Sequence, residues 1–105
     1  MRFVQPIVLS VLSEGPTHGY AILQRIGETR LWKGEKPDPA GVYRTLKNME
    51  ERGLISSVED GQERRLYSLT AEGRECSKVW IQTLRSYRLG LSEVITMLDE
   101  ALEKL

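Results

Sequence analysis

Apolar residues recur along the chain in separable runs, and their spacing predicts the elements. Ile7, Val8, Leu9, Val11 and Leu12 crowd behind Pro6 and stop at Gly15-Pro16. Proline is tolerated in a first helical turn, where its missing N–H would have had no partner, so this run predicts a helix that is apolar nearly all round. Such a helix needs cover on more than one side, which predicts packing both on its own core and on a further helix or subunit. Thr17 can cap a second helix, with His18, Gly19 and Tyr20 in its opening turn and Ile22, Leu23 and Ile26 on one apolar face. Residues 31–37 then read as a loop broken by Gly34 and Pro37, with Trp32 expected to pack against a partner element because water is a poor place for an indole.

The clearest pattern follows. Asp38 and Pro39 make a strong helix start, the carboxylate accepting otherwise unpaired N–H groups and the proline pre-setting the first helical residue. Val42, Leu46 and Met49 recur at spacings of four and three, one buried face, and Gly53 supplies the stop. The opposite face carries Tyr43, Arg44, Lys47 and Asn48, with no acid until Glu50 and Glu51. Taken alone, that face reads more simply as an ordinary solvated surface.

Residues 54–58 and 65–69 have strand character and flank Asp60-Gly61, a hairpin cue. Two strands alone are marginal and need helices across one face. Thr70 can cap a last helix with no proline to its end. Along it Trp80, Leu84, Tyr87, Leu91, Val94, Leu98, Leu102 and Leu105 follow steps of 4, 3, 4, 3, 4, 4 and 3, close to a heptad seam. A helix of about 35 residues would be roughly 50 Å long, more than a small domain covers by itself. Gly90 is a candidate bend.

The predicted fold is therefore mainly α with a two-stranded β-wing: a winged helix-turn-helix over residues 1–70, followed by a long C-terminal dimerisation helix over residues 71–105. Charge sharpens this. Within residues 74–90 four cations face one acid, whereas residues 91–105 hold one cation and four acids. An antiparallel partner would set basic half against acidic half, so a two-fold homodimer with antiparallel last helices is expected. Its seam would be built from Trp80, Leu84, Tyr87, Leu91, Val94 and Leu98, joined by Val8, Val11 and Leu12 of the first helix.

Composition narrows the chemistry. Fifteen Lys plus Arg balance fifteen Asp plus Glu, so the bulk basicity of many nucleic-acid binders is missing and any DNA contact rests on local charge. One Cys and one His cannot build a four-ligand soft-metal site. Neither a nucleophile–base pair nor a glycine-rich phosphate loop is recognisable, so no enzyme activity and no cofactor is expected. His18 reads as a helix-start residue making a structural hydrogen bond. No apolar run reaches the roughly 20 residues of a membrane span, and a soluble cytoplasmic protein is expected.

What remains is DNA. A helix presenting Tyr43, Arg44, Thr45, Lys47 and Asn48 can enter a major groove about 12 Å wide, where arginine reads guanine and asparagine reads adenine. Arg64 and Arg65 sit at the wing, near a minor groove or its phosphates, although Glu59, Asp60 and Glu63 surround them. Tyr20 and Tyr43 can each donate a hydroxyl to phosphate or serve at the edge of the core. The alternative is a winged-helix protein–protein interaction module without specific DNA binding, which zero net charge favours.

Three segments carry a resemblance. GPTHGYAIL, GVYRTLKNMEERGLI and RRLYSLTAEGRE resemble, in order and spacing, the signature segments of the PadR-like transcriptional regulators. The likeness covers about residues 5–75, and the last helix is similar to that of short members with a single C-terminal dimerisation helix. It implies a homodimeric repressor that binds a palindromic promoter site and is released by a small-molecule effector. It also implies that Tyr20 and Tyr43 are backbone-contacting tyrosines, that Lys47 lies on the reading helix, and that Arg64 and Arg65 open the second wing strand. Many members have Tyr-Pro where this chain has Tyr43-Arg44, and the wing turn here is short and acidic. Some members sandwich flat aromatic compounds on a tryptophan between the C-terminal helices. Trp80, Leu84 and Tyr87 are the corresponding candidates here, either as an effector pocket or as a dry interface core.

Overall fold

In the computed structural model, which describes residues 3–62 and 64–105, the elements run α1 (Val4–Ser13), β1 (Thr17–His18), α2 (Gly19–Glu28), α3 (Pro39–Glu51), β2 (Ile55–Glu59), β3 (Arg65–Leu69) and α4 (Ala71–Glu103). Glu63, counted above among the acids of the wing, lies outside the described residues. The core gathers Val4, Val8 and Leu9 of α1, Ile22 and Ile26 of α2, Val42, Leu46 and Met49 of α3, and Ile55 and Tyr67 of the sheet. The four-and-three spacing of α3 thus lands all three of its apolar residues at 0% exposure.

Three expectations change. The sheet has three antiparallel strands in the order β1-β3-β2, because Thr17 and His18 pair with Tyr67 and Leu66 before α2 begins. Thr17 is therefore a strand residue and caps nothing; α2 starts at Gly19 without a side-chain cap. Val8, Val11 and Leu12 were expected at a subunit interface, but α2, α3, the sheet and α4 enclose them within the single chain at 0%, 6% and 3% exposure. Trp32 packs against the core, as expected of an indole, in a loop held by hydrogen bonds from the Trp32 and Lys33 N–H groups to the Thr29 carbonyl.

Helix α3 begins as its sequence requires, the Asp38 carboxylate accepting from the Gly41 N–H at 3.2 Å with Pro39 in the first position. The wing hairpin keeps register through Ser57↔Tyr67 and Val58↔Leu66, and β2 starts one residue later than expected, at Ile55. Ser57 Oγ donates to Glu50 Oε2 at 2.8 Å and accepts from Arg65 Nε at 2.9 Å. This short polar chain fixes the angle between the end of α3 and the wing.

Helix α4 is anchored first at its start. Thr70 Oγ1 accepts from the Gly73 N–H at 3.0 Å, capping the helix, and donates to the Gly53 carbonyl at 2.6 Å. The Thr70 N–H adds a bond to the Leu54 carbonyl at 3.2 Å. Gly73 lies so close to that carbonyl that an added Cβ would collide with it and with Leu69. Further along, Gln5 of α1 donates to Cys76 Sγ at 3.6 Å, and Cys76 and Trp80 pack on the core. Beyond Tyr87, whose ring meets Phe3, no other described element runs beside the helix, which continues unbroken through Gly90 and stretches the molecule to 64 × 29 × 21 Å.

Because Gly73 faces backbone, which cannot move aside, Gly73→Ala should cost about 3 kcal/mol of stability, in the upper part of the overpacking range. Urea denaturation of the two proteins measures the difference.

Candidate nucleic-acid interface

Burial of Val42, Leu46 and Met49 turns the opposite face of α3 outward, and Tyr43, Arg44, Lys47 and Asn48 all lie exposed on it. Thr45 is different. Half-buried, it turns its hydroxyl back to the Gly41 carbonyl at 3.1 Å, so it supports the helix from within. The geometry brings Tyr20 and Tyr43 to one edge: the Tyr43 ring lies directly over Gly19, where a Cβ would meet its Cε1 and hydroxyl at 2.7 Å. Tyr20, the next residue, is 70% exposed. Below them the Tyr67 phenol is pushed up from its ordinary pKa by burial, reinforced by the neighbouring Tyr43 and Glu50.

Both wing arginines have internal acidic partners. Arg64 reaches Asp60 Oδ2 at 3.1 Å and donates to Gln62 Oε1 at 2.9 Å, while Arg65 lies 3.7 Å from Glu59. Asp60 is the fixed point of the wing tip. Its Oδ1 accepts from the Gln62 N–H at 3.0 Å, and Oδ2 is 2.7 Å from His18 Nε2. The Gln62 bond holds the carboxyl below the usual aspartate range, helped by His18 and Arg64 against the burial that opposes ionisation. His18 thus makes the structural hydrogen bond expected of it, and it does so across the sheet. Sequence reasoning missed Glu50, Ser57, Asp60 and Gly19 as positioning residues, since each acts through a partner on another element of the fold.

Trp80 and Leu84 face α1 across a groove of about 330 Å³ shared with Pro6, Leu9 and Ser10. Tyr87 does not line that groove. Its ring meets Phe3 edge-on at 6.0 Å, and it borders an open trough with Gly90, Leu91 and Val94. From there Leu91, Val94 and Leu98 continue as a row, each more than half exposed. Among the described residues no group of His, Cys, Asp and Glu is placed to hold a metal, and no helix is long and apolar enough to cross a membrane.

A helix-turn-helix with a β-wing and one long trailing helix defines a class of winged-helix regulators, and comparison with known proteins gives the family. Residues 8–78 match the profile described as "Transcriptional regulator PadR-like family". The chain belongs to that family. It is similar to an uncharacterised 37.1 kDa protein in a transposon of Streptomyces fradiae, 35% identical over 71 residues, 68% of this chain. It spans about a fifth of the length of that relative. Among solved structures it resembles a transcriptional regulator from Clostridium thermocellum, with 25% identity, a TM-score of 0.78, and 87% and 88% of the two chains covered. It also shares its fold with Bacillus subtilis PadR, crystallised in complex with operator DNA, at 24% identity and a TM-score of 0.61, covering 77% of this chain and 46% of that one.

The obstacle at Gly19 is the mobile end of a side chain, unlike the backbone at Gly73. Gly19→Ala should therefore cost less than about 1 kcal/mol of stability, below the usual overpacking range, while displacing the Tyr43 ring. Denaturation, together with the Tyr43 ring resonances by NMR, checks both halves.

Proposed function

We propose that this chain is a homodimeric repressor that reads a palindromic promoter site through the outward face of α3. The observation that carries this reading is the division of α3 itself: one face wholly buried, the other presenting Tyr43, Arg44, Lys47 and Asn48 beside a wing, in a chain of the PadR-like family. A major groove admits such a helix, with Arg44 and Asn48 reading base edges and Lys47 neutralising phosphate. Tyr20 and Tyr43 donate hydroxyls to the backbone, and Arg64 and Arg65 lie along it at the wing. That the B. subtilis protein of the same fold was crystallised with operator DNA supports a DNA-binding role for this chain. The protein acts in the cytoplasm, where its DNA is.

Two copies are joined through α4. The exposed row Leu91, Val94 and Leu98 supports this, because so long an apolar row on an unaccompanied helix is unfavourable in water. The opposed charges of the two halves of α4 favour an antiparallel pair. Two reading helices would then meet successive major grooves, about 34 Å apart. A flat aromatic effector would act where Trp80 and Leu84 line the groove against α1, close to the dimer centre; Tyr87, outside that groove in the single chain, would join only through the partner.

Gel shifts with the chain's own upstream DNA test the reading, and binding should weaken steeply with salt. Arg44→Ala or Asn48→Ala should cost about 1–3 kcal/mol at the preferred site and relax the choice of base there. Lys47→Ala should instead weaken all sequences alike and flatten the salt dependence by about 1 per contact. Unchanged binding and preference in all three variants would move the reading surface elsewhere.

A further inference from the structure

We propose that Asp60 is a specificity-determining residue of the DNA interface: it holds Arg64 in an internal ion pair, so that the wing contributes little to sequence-independent binding. The inference rests on the DNA-binding reading above and deepens it. Three features of the wing carry it.

The first is that Asp60 is held from three sides. Its side chain is only 17% exposed and is engaged by the Gln62 N–H, by His18 Nε2 and by Arg64 together. His18 is itself anchored, since β1 pairs with β3 at His18↔Leu66. The second is that Arg64 is satisfied without DNA, with Asp60 Oδ2 at 3.1 Å and Gln62 Oε1 at 2.9 Å. A phosphate must compete with a carboxylate already in place. The third is the contrast with Glu59, which is 74% exposed and 3.7 Å from Arg65, a loose pair that gives way easily. Arg65 keeps its position without that pair, because its Nε is bonded to Ser57.

The consequence follows from how the two modes of binding gain affinity. On random sequence the base contacts of α3 are missing and phosphate neutralisation supplies essentially all the affinity. A cation held by an internal anion is withheld from that mode. On the matching site, base contacts fix the register, so a phosphate is presented to Arg64 at a defined place and the exchange of carboxylate for phosphate becomes productive. A chain with no net charge, binding through local cations, gains selectivity by this device at some loss of total affinity.

The test uses fluorescence anisotropy with two duplexes, one from the chain's own upstream region and one of scrambled sequence, at several salt concentrations. Asp60→Asn keeps an acceptor for Gln62 and removes the charge. It should bind the scrambled duplex about threefold to tenfold tighter, with a salt slope steeper by about 2 per dimer, while its affinity for upstream DNA changes less. Adding Arg64→Ala should abolish that gain. Arg64→Ala in the otherwise native chain, which does not depend on how Asp60→Asn folds, should weaken upstream DNA severalfold and scrambled DNA less than about twofold. The proposal is overturned if Asp60→Asn leaves scrambled binding unchanged or weaker, if its gain survives Arg64→Ala, or if Arg64→Ala weakens scrambled DNA as much as Lys47→Ala does. Failure of the native chain to bind either duplex at low salt would instead bring down the DNA reading, and this inference with it.

Discussion

The connection between the winged unit and its long helix passes through a handful of atoms around Thr70. One hydroxyl caps α4 at the Gly73 N–H and also grips the Gly53 carbonyl at the end of α3, while the missing Cβ of Gly73 lets the helix sit against the Leu54 carbonyl. The angle at this junction matters because α4 is a lever of about 50 Å, so a tilt of about 10° at its root would displace the far end by about 9 Å. Cys76 and Trp80, packed on the core beside α1, give the lever a second point of support. A helix aimed from two points can set the distance between two copies of α3.

The proposed reading surface is held in place for related reasons. Glu50, Ser57 and Arg65 form a chain of hydrogen bonds from α3 to the wing, and His18 and Asp60 tie the wing tip to the strand before α2. Tyr43 rests on Gly19 instead of filling a deep core site. These contacts are all small, and most involve charged or polar groups that individually add little stability. Their effect is positional: they turn a chain of zero net charge into a surface whose cations stand at set places, some free to meet phosphate and some already paired.

Much of this was legible in the chain because the signals were local. Asp38-Pro39 starts α3, Val42, Leu46 and Met49 face inward, and Thr70 caps α4, each decided by residues within a turn of one another. The outward face of α3 followed from the inward one. Strand β1 was not legible, since two residues become a strand only through Tyr67 and Leu66, some fifty positions away. Partners in other elements hid the roles of Gly19, Gly73, Glu50 and Asp60. A glycine in a helical stretch ordinarily weakens it, and nothing nearby indicates that a tyrosine ring or a carbonyl occupies the space. Val8, Val11 and Leu12 misled for another reason: an all-apolar helix announces that it needs cover on every side, without saying that its own chain supplies it.

The central claim is that paired α4 helices hold two copies of α3 about one turn of DNA apart. The most direct measurement places a spin label at Asn48→Cys, in a Cys76→Ser background, and determines the label-to-label distance in the free protein by pulsed dipolar spectroscopy. The account predicts a single narrow distribution centred at about 34 Å, which matches adjacent major grooves. No dipolar signal at concentrations where a dimer should form, or a distance far from one helical turn, would contradict it.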